Sequence, residues 1–134
     1  MMNNGYWVEA RMKKWFKGKS HEDDAVDFQT KTTLYEVKSC RLYNSCSNAN
    51  HKRNYKTKPH KKVHSQQHGR FFIKVRHHET LRVLAEKEGK LAKYIFCLVI
   101  GGQIIWRVLP WESVKFKVKG RLAPIQLKKI FGGE

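Results

Sequence analysis

Acidic residues are scarce in this 134-residue chain, and they are unevenly distributed. Eleven Asp and Glu residues oppose 28 Lys and Arg residues, which gives a formal net charge of +17 at pH 7. No carboxylate occurs from Val37 to His78. An excess of positive charge on this scale indicates a polyanionic partner, and nucleic acid is the commonest one. Charge alone does not separate an enzyme that acts on nucleic acid from a small ribosomal or chromatin protein that only neutralises it.

Long apolar runs and cysteine pairs are also missing. The longest apolar run, Tyr94–Ile100, has the length of a strand, whereas a membrane helix needs roughly 18 residues. The N-terminus lacks the basic-then-apolar order of a secretory signal. Cys40, Cys46 and Cys97 have no C-x-x-C spacing, so a disulfide framework is not expected. We therefore expect one soluble, cytoplasmic domain, residues 1–134, with no membrane partner.

The hydrophobic pattern predicts the order helix, strand, strand, helix, strand, strand, which is typical of an α/β fold with one mixed sheet. The predicted elements are a helix from Asn3 or Asn4 to Lys17, strands at Ala25–Gln29 and Thr33–Ser39, a helix from His77 or His78 to Gly89, strands at Tyr94–Ile100 and Gln103–Leu109, a brief strand at Val114–Val118, and a last helix containing Ile125, Leu127 and Phe131. Residues 41–65 are predicted to form a mobile basic loop, and Arg70–Val75 is left open between helix and strand. Helical spacing predicts a buried stripe of Val8, Met12, Trp15 and Phe16, and Trp7, Phe96 and Trp106 are also expected in the core.

Four charged residues form the candidate site. Glu36 and Lys38 share one face of the predicted second strand, and the hairpin places Asp27 level with Glu36. Carboxylates that converge on one point repel unless a cation lies between them, and their hard oxygens suit Mg²⁺. Lys38 can then reach a metal-bound phosphate and orient the attacking water. Glu9, on the border of the first helix's apolar stripe, can complete the metal shell.

Asp27 has competitors for this role in Asp23 and Asp24. We favour Asp27 because Val26 and Phe28 flank it as strand residues should, whereas the other two fall in a polar turn. An E-x-K triplet is common in basic proteins and is usually a solvated strand face.

Asp27, followed nine positions later by Glu36-Val37-Lys38, resembles the D…(D/E)-x-K motif of the PD-(D/E)XK nuclease superfamily. Glu9 on the preceding helix matches a recurrent feature of that superfamily. The order of elements also resembles archaeal-type Holliday junction resolvases, which have a Gly-Arg pair in the next helix, here Gly69-Arg70. Two departures are Val26, where Pro is usual, and the longer insert at 41–65.

This resemblance implies a restriction-endonuclease-like domain, with a central mixed sheet flanked by helices, that cleaves DNA in recombination or repair. The enzyme would be a homodimeric, Mg²⁺-dependent endonuclease that leaves 5′-phosphates on branched or duplex DNA, with Mn²⁺ able to replace Mg²⁺. Asp27, Glu36, the Val37 carbonyl and Glu9 would hold the metal, and Lys38 would assist the attack. Ser20 matches, in a loose alignment, a functional serine of those resolvases.

The remaining site predictions concern contacts with DNA. Expected phosphate or base contacts are Ser20, Arg41, Lys52, Arg53, Lys61, Lys62 and Arg70, with Tyr55 available for base stacking.

Two alternative functions stay open. The stretch GRFFIKVRHHETL is similar to small restriction-type enzymes, so a restriction or repair endonuclease of the same superfamily would share the chemistry. The other alternative is a non-catalytic nucleic-acid-binding protein, in which zinc would be held by Cys40, Cys46 and His51 or by His64 and His68.

Overall fold

A four-stranded mixed sheet forms the centre of the fold. The computed structural model describes residues 4–45, 66–118 and 120–132. Its elements are α1 (Asn4–Trp15), β1 (Phe28–Gln29), β2 (Thr33–Arg41), β3 (Tyr43–Ser45), β4 (Gln66–His68), β5 (Arg70–Lys74), α2 (Val75–Glu88), β6 (Leu91–Ile100), β7 (Gln103–Pro110), a 3₁₀ turn (Trp111–Ser113), β8 (Leu122–Gln126) and α3 (Leu127–Phe131). The central sheet has the order β1-β2-β6-β7, and β3 with β4 and β5 with β8 form two separate ladders. The predicted α/β class with a mixed sheet is confirmed.

The pairing of the central strands fixes where the candidate site lies. Strands β1 and β2 form an antiparallel hairpin, and β2 then runs parallel to β6 so that Glu36 is level with Tyr94. Strands β6 and β7 are antiparallel and joined by Gly101 and Gly102, which have φ of 53° and 83°. Positive φ at both central residues is the requirement of a tight type I′ hairpin turn, which explains the two glycines.

Each face of the sheet carries its own apolar cluster, because side chains alternate along a strand. On one face Val8 and Met12 of α1 pack with Phe28, Tyr35, Ile95 and Cys97. On the other face the larger cluster includes Leu34, Phe71, Leu81, Ala85, Tyr94, Phe96 and Leu98. Helix α2 ends as predicted at Gly89, which has φ of 67° and closes the helix through its backbone N–H. The site lies at the β1 side of this two-faced sheet.

The segment left open between helix and strand is a strand, and two predicted elements in the C-terminal half are wrong. Arg70–Lys74 is a strand, with the buried side chains of Phe71 and Ile73 alternating with exposed ones. Leu122–Gln126, which includes Ile125, is the strand that pairs with it, so the last helix is only Leu127–Phe131. Residues 114–118 form no strand. A short alternating run does not show in the sequence which partner strand it has, so Arg70–Val75 could not be decided and Ile125 was predicted in a helix.

Two tryptophans predicted in the core are exposed instead. Trp15 is 48% exposed and Trp106 is 44% exposed. At the end of α1 it is Phe16, not Trp15, that packs against the core, with its ring against Phe28 and Tyr35. Trp106 lies on β7, the outer strand of the sheet, so no further strand covers it.

The predicted loop at 41–65 begins later than expected. Strand β2 extends through Arg41, and β3 pairs with β4 so that Ser45 is opposite Gln66. The rest of that loop, residues 46–65, lies outside the described residues. Within the described ranges, no helix has both the length and the apolar character needed to cross a membrane.

Candidate functional site

Asp27 lies where strand β1 separates from β2. Its backbone N–H still donates to the Tyr35 carbonyl at 2.8 Å, as the antiparallel ladder requires. One residue earlier the chain turns away, since the Val26 N–H bonds back to the Asp23 carbonyl. The Val37 N–H of β2 therefore meets a side chain, and donates to Asp27 Oδ2 at 2.6 Å. This hydrogen bond fixes the Asp27 carboxylate at the edge of β2.

Glu36 and Lys38 project from the same face of β2, as predicted. Lys38 Nζ is 3.5 Å from Glu36 Oε2, and His77 Nδ1 at the start of α2 is 4.0 Å from the same oxygen. Glu36 is only 4% exposed, so its carboxyl group is held against the sheet rather than in solvent. The side chain of Lys38 remains 18% exposed and can reach a molecule bound at this edge.

Glu9 approaches Asp27 from α1, on the other face of the sheet. Burial, together with the charge of Asp27 and a hydrogen bond to it, raises the pKa of Glu9 to about 7. The positive charges of Lys13 and Lys38 oppose that change. Glu9 and Glu36 thus contact Asp27 from the two faces, with Asp27 between them.

Repulsion and burial also act on Glu36. Burial, a hydrogen bond to Asp27 and the charge of Asp27 raise the pKa of Glu36 to about 10, although Lys38 lowers it. The 3.5 Å separation from Lys38 is too long for a strong charge-assisted hydrogen bond, so burial prevails. Without a bound cation, Glu36 therefore retains its proton at neutral pH. A bound divalent cation would displace that proton.

The Val37 carbonyl, predicted as a metal ligand, points to the same edge of the strand as the Val37 N–H. In a β-strand the N–H and C=O of one residue face the same neighbour, and here that neighbour is the region of Asp27. The metal role of this carbonyl stays a prediction.

The fit of a metal can be tested from the donor set. Among residues 4–45, 66–118 and 120–132, no three His, Cys, Asp or Glu side chains form a group that could hold a metal ion. Mg²⁺ rarely uses such a group, because it commonly takes one or two carboxylates and completes its shell with water and substrate phosphate. Asp27 and Glu36 supply two carboxylates beside a backbone carbonyl, and this donor set suits Mg²⁺.

The predicted DNA contacts have different positions. Ser20 lies near the site, because its hydroxyl accepts a hydrogen bond from Lys13, whose charge acts on Glu9. Arg41 is exposed at the end of β2, and Arg70 is exposed on β5 with its guanidinium over a neighbouring phenylalanine ring. Lys52, Arg53, Tyr55, Lys61 and Lys62 lie outside the described residues and stay predictions.

The surroundings of Cys40 disfavour zinc binding. This thiol is buried, and burial raises its pKa to about 12, which disfavours the thiolate that zinc requires. The other proposed ligands, Cys46, His51 and His64, lie outside the described residues, and the structure describes only the backbone of His68.

Sequence reasoning missed two histidines near the site. His77 faces Glu36, and burial, Lys74 and Lys38 lower the pKa of its imidazole. His78 is buried, and its Nδ1 is 2.7 Å from the hydroxyl oxygen of Tyr94, the residue level with Glu36 on the neighbouring strand. Burial raises the pKa of Tyr94, and the nearby carboxyl groups of Glu36 and Asp27 raise it further. The parallel register of β2 and β6 was the missing information.

No protein-family model, no curated protein and no solved structure matches this chain. Its function is therefore inferred from the site itself, since a fold class hosts many unrelated activities.

Proposed function

We propose that this chain is a metal-dependent DNA endonuclease of the PD-(D/E)XK type, with a restriction-endonuclease-like domain. The observation that carries the proposal is the position of Asp27, which contacts Glu9 and Glu36 and is anchored to the backbone of Val37 beside Lys38. A solvated strand face would leave Glu36 in water, whereas this carboxyl group is 4% exposed. Burying ionisable groups side by side is unfavourable, so such a cluster favours a functional role.

In this proposal Asp27 and Glu36 would hold Mg²⁺ together with the Val37 carbonyl, and Glu9 would complete the shell through a water molecule. When bound, Mg²⁺ supplies Lewis-acid stabilisation of charge on the phosphate. The hydrogen bond from the Val37 N–H keeps the Asp27 carboxylate in one orientation. Glu36 is held rigidly by burial, so little reorganisation is needed when a phosphate binds.

Lys38 acts on the phosphate and the attacking water rather than on the metal. Its ammonium would donate a hydrogen bond to a non-bridging phosphate oxygen and offset the negative charge that develops there, or would orient the attacking water. It has the reach to do so because it is partly exposed and only loosely paired with Glu36.

The proposed substrate is DNA, branched or duplex, and the supporting observation is the net charge of +17. One site hydrolyses one strand, so cutting both strands of a junction or duplex symmetrically requires two copies; we therefore include a homodimer in the proposal.

Cleavage of supercoiled plasmid, linear duplex, flap, single strand and four-way junction, each with Mg²⁺, Mn²⁺ or EDTA, tests this function. We expect cleavage with either metal, none with EDTA, and a rate at least about 100-fold lower for Asp27→Asn, which removes the charge but can still accept from the Val37 N–H. The matched control is Glu86→Gln, an exposed carboxylate of α2 paired with Arg82. Undiminished cleavage by Asp27→Asn would refute the site. DNA binding without cleavage of any substrate would favour the non-catalytic alternative.

A further inference from the structure

An aromatic patch on the α1 side of the sheet lies apart from the carboxylate cluster. We define this aromatic–arginine patch as Trp7, Arg11, Trp15 and Trp106. Trp15 and Trp106 are 48% and 44% exposed. The guanidinium carbon of Arg11 is 5.5 Å from the ring centre of Trp7 and 5.8 Å from that of Trp15. Half-exposed indoles are uncommon on a surface that has no partner for them.

The core holds the indole of Trp106 in place. The ring of Phe16, next to Trp15 in sequence, packs edge-on against Trp106 with 5.3 Å between ring centres. Phe16 is itself fixed against Phe28 and Tyr35. Trp106 lies on the same face of β7 as Ile104 and Val108, which pack on the core cluster of that side. The Trp106 ring therefore loses little conformational freedom when a flat partner stacks on it.

The charge around the patch selects the partner. Helix α1 carries Arg11 and, in its last turn, Lys13 and Lys14, whereas its one carboxylate, Glu9, is turned toward Asp27. A second copy that met this surface face to face would bring the same Arg11, Lys13 and Lys14 against it. A polyanion is attracted instead, and only an unpaired nucleobase presents a free π-face, since bases in a duplex are stacked on each other.

We propose that the aromatic–arginine patch is a stacking site for unpaired nucleobases, with Arg11 neutralising the adjoining phosphate. This inference takes from the proposed function only that the partner is nucleic acid. It does not depend on hydrolysis. Such a site would give the protein a preference for single-stranded or branched nucleic acid over continuous duplex, without base-specific contacts.

Binding in EDTA tests the site independently of cleavage. The probe is a thymidine oligonucleotide, compared with a duplex of equal length, and the readouts are tryptophan fluorescence quenching and fluorescence anisotropy. We expect quenching by the single strand, and about 5- to 150-fold weaker single-strand binding for Trp15→Leu and Trp106→Leu, with duplex binding changed less than about twofold. Trp15→Phe, which keeps a ring, should restore part of the affinity.

Tyr6→Leu is the matched control, because Tyr6 is a 73% exposed aromatic residue on the same helix. Equal losses on single strand and duplex, no loss in either tryptophan variant, or the same loss in Tyr6→Leu would overturn the stacking site. A wild-type dimer that Trp15→Leu converts to monomer, with single-strand affinity unchanged, would also overturn it and assign the patch to contact between copies. Retained stacking in a protein that cleaves nothing would refute only the nuclease.

Discussion

Replacing Glu36 by Gln should stabilise the metal-free protein at neutral pH. The carboxyl group of Glu36 has an ordinary pKa of 4.5, and burial together with Asp27 raises it to about 10 in the folded chain. Between these values the folded state holds a proton that the unfolded state has released, so stability falls as pH rises. The loss is about 1.4 kcal/mol per pH unit, which gives about 3 kcal/mol between about pH 4.5 and about pH 7. Gln has the same shape, carries no titrating proton and can donate to Asp27.

Urea unfolding in EDTA across this pH range measures the effect. We expect the free energy of unfolding of Glu36→Gln to exceed the wild-type value by up to about 3 kcal/mol near pH 7 and to converge with it near pH 4.5. Glu86→Gln, an exposed carboxylate paired with Arg82, controls for the removal of a charge, and histidine titration cancels in the comparison. Identical pH slopes for Glu36→Gln and wild type would refute the view that Glu36 is held protonated. With saturating Mg²⁺ the order should reverse, because only wild type gains stability from binding the ion.

Three further substitutions test other parts of the structure. Lys38→Ala should lower the cleavage rate about 100- to 1,000-fold while Mg²⁺ binding by calorimetry is retained, with exposed Lys87→Ala as control; an unchanged rate would remove Lys38 from the mechanism. Because burial and Asp27 raise the pKa of Glu9 to about 7 and that of Glu36 still higher, Mg²⁺ affinity should increase as pH rises through neutrality, and Glu9→Gln should make this rise less steep, with the remaining slope due to Glu36; a profile unaffected by Glu9→Gln would contradict its place in the metal shell. Gly69→Ala should destabilise the fold by about 1–3 kcal/mol or more in urea unfolding, since a Cβ there would lie 1.7 Å from the Arg41 carbonyl oxygen; wild-type stability would show that the two chain segments do not approach so closely.

The site was more predictable from the sequence than the periphery, because it depends on local rules. The two-residue period of a strand places Glu36 and Lys38 on one face, and a short hairpin brings Asp27 beside them. Flanking apolar residues then distinguish Asp27 from its acidic neighbours. What the sequence did not show is that the Asp27 side chain replaces a strand partner for the Val37 N–H, because this depends on where the chain leaves the ladder.

Long-range pairing decides the segments that the sequence left open or assigned wrongly. Arg70–Lys74 is a strand because β8, some fifty residues further along the chain, pairs with it, and no local signal in the sequence reveals that partner. Trp106 was expected in the core because large aromatic residues usually are buried, but the sequence does not reveal which strand is outermost in the sheet.

The pairing of β3 with β4 has a consequence for the architecture of the chain. Ser45 and Gln66 are opposite each other, so the two chain positions that flank residues 46–65 lie side by side. Because the entropic cost of closing a loop varies only slowly with its length, we expect that these twenty residues can be replaced by a tight turn at little cost in stability. A variant that lacks those residues would separate the contribution of the basic segment to DNA affinity from the activity of the carboxylate cluster. It would keep the carboxylate cluster and remove the lysines and arginines between 46 and 65. Its remaining affinity for DNA would measure how much of the binding is due to the rest of the chain.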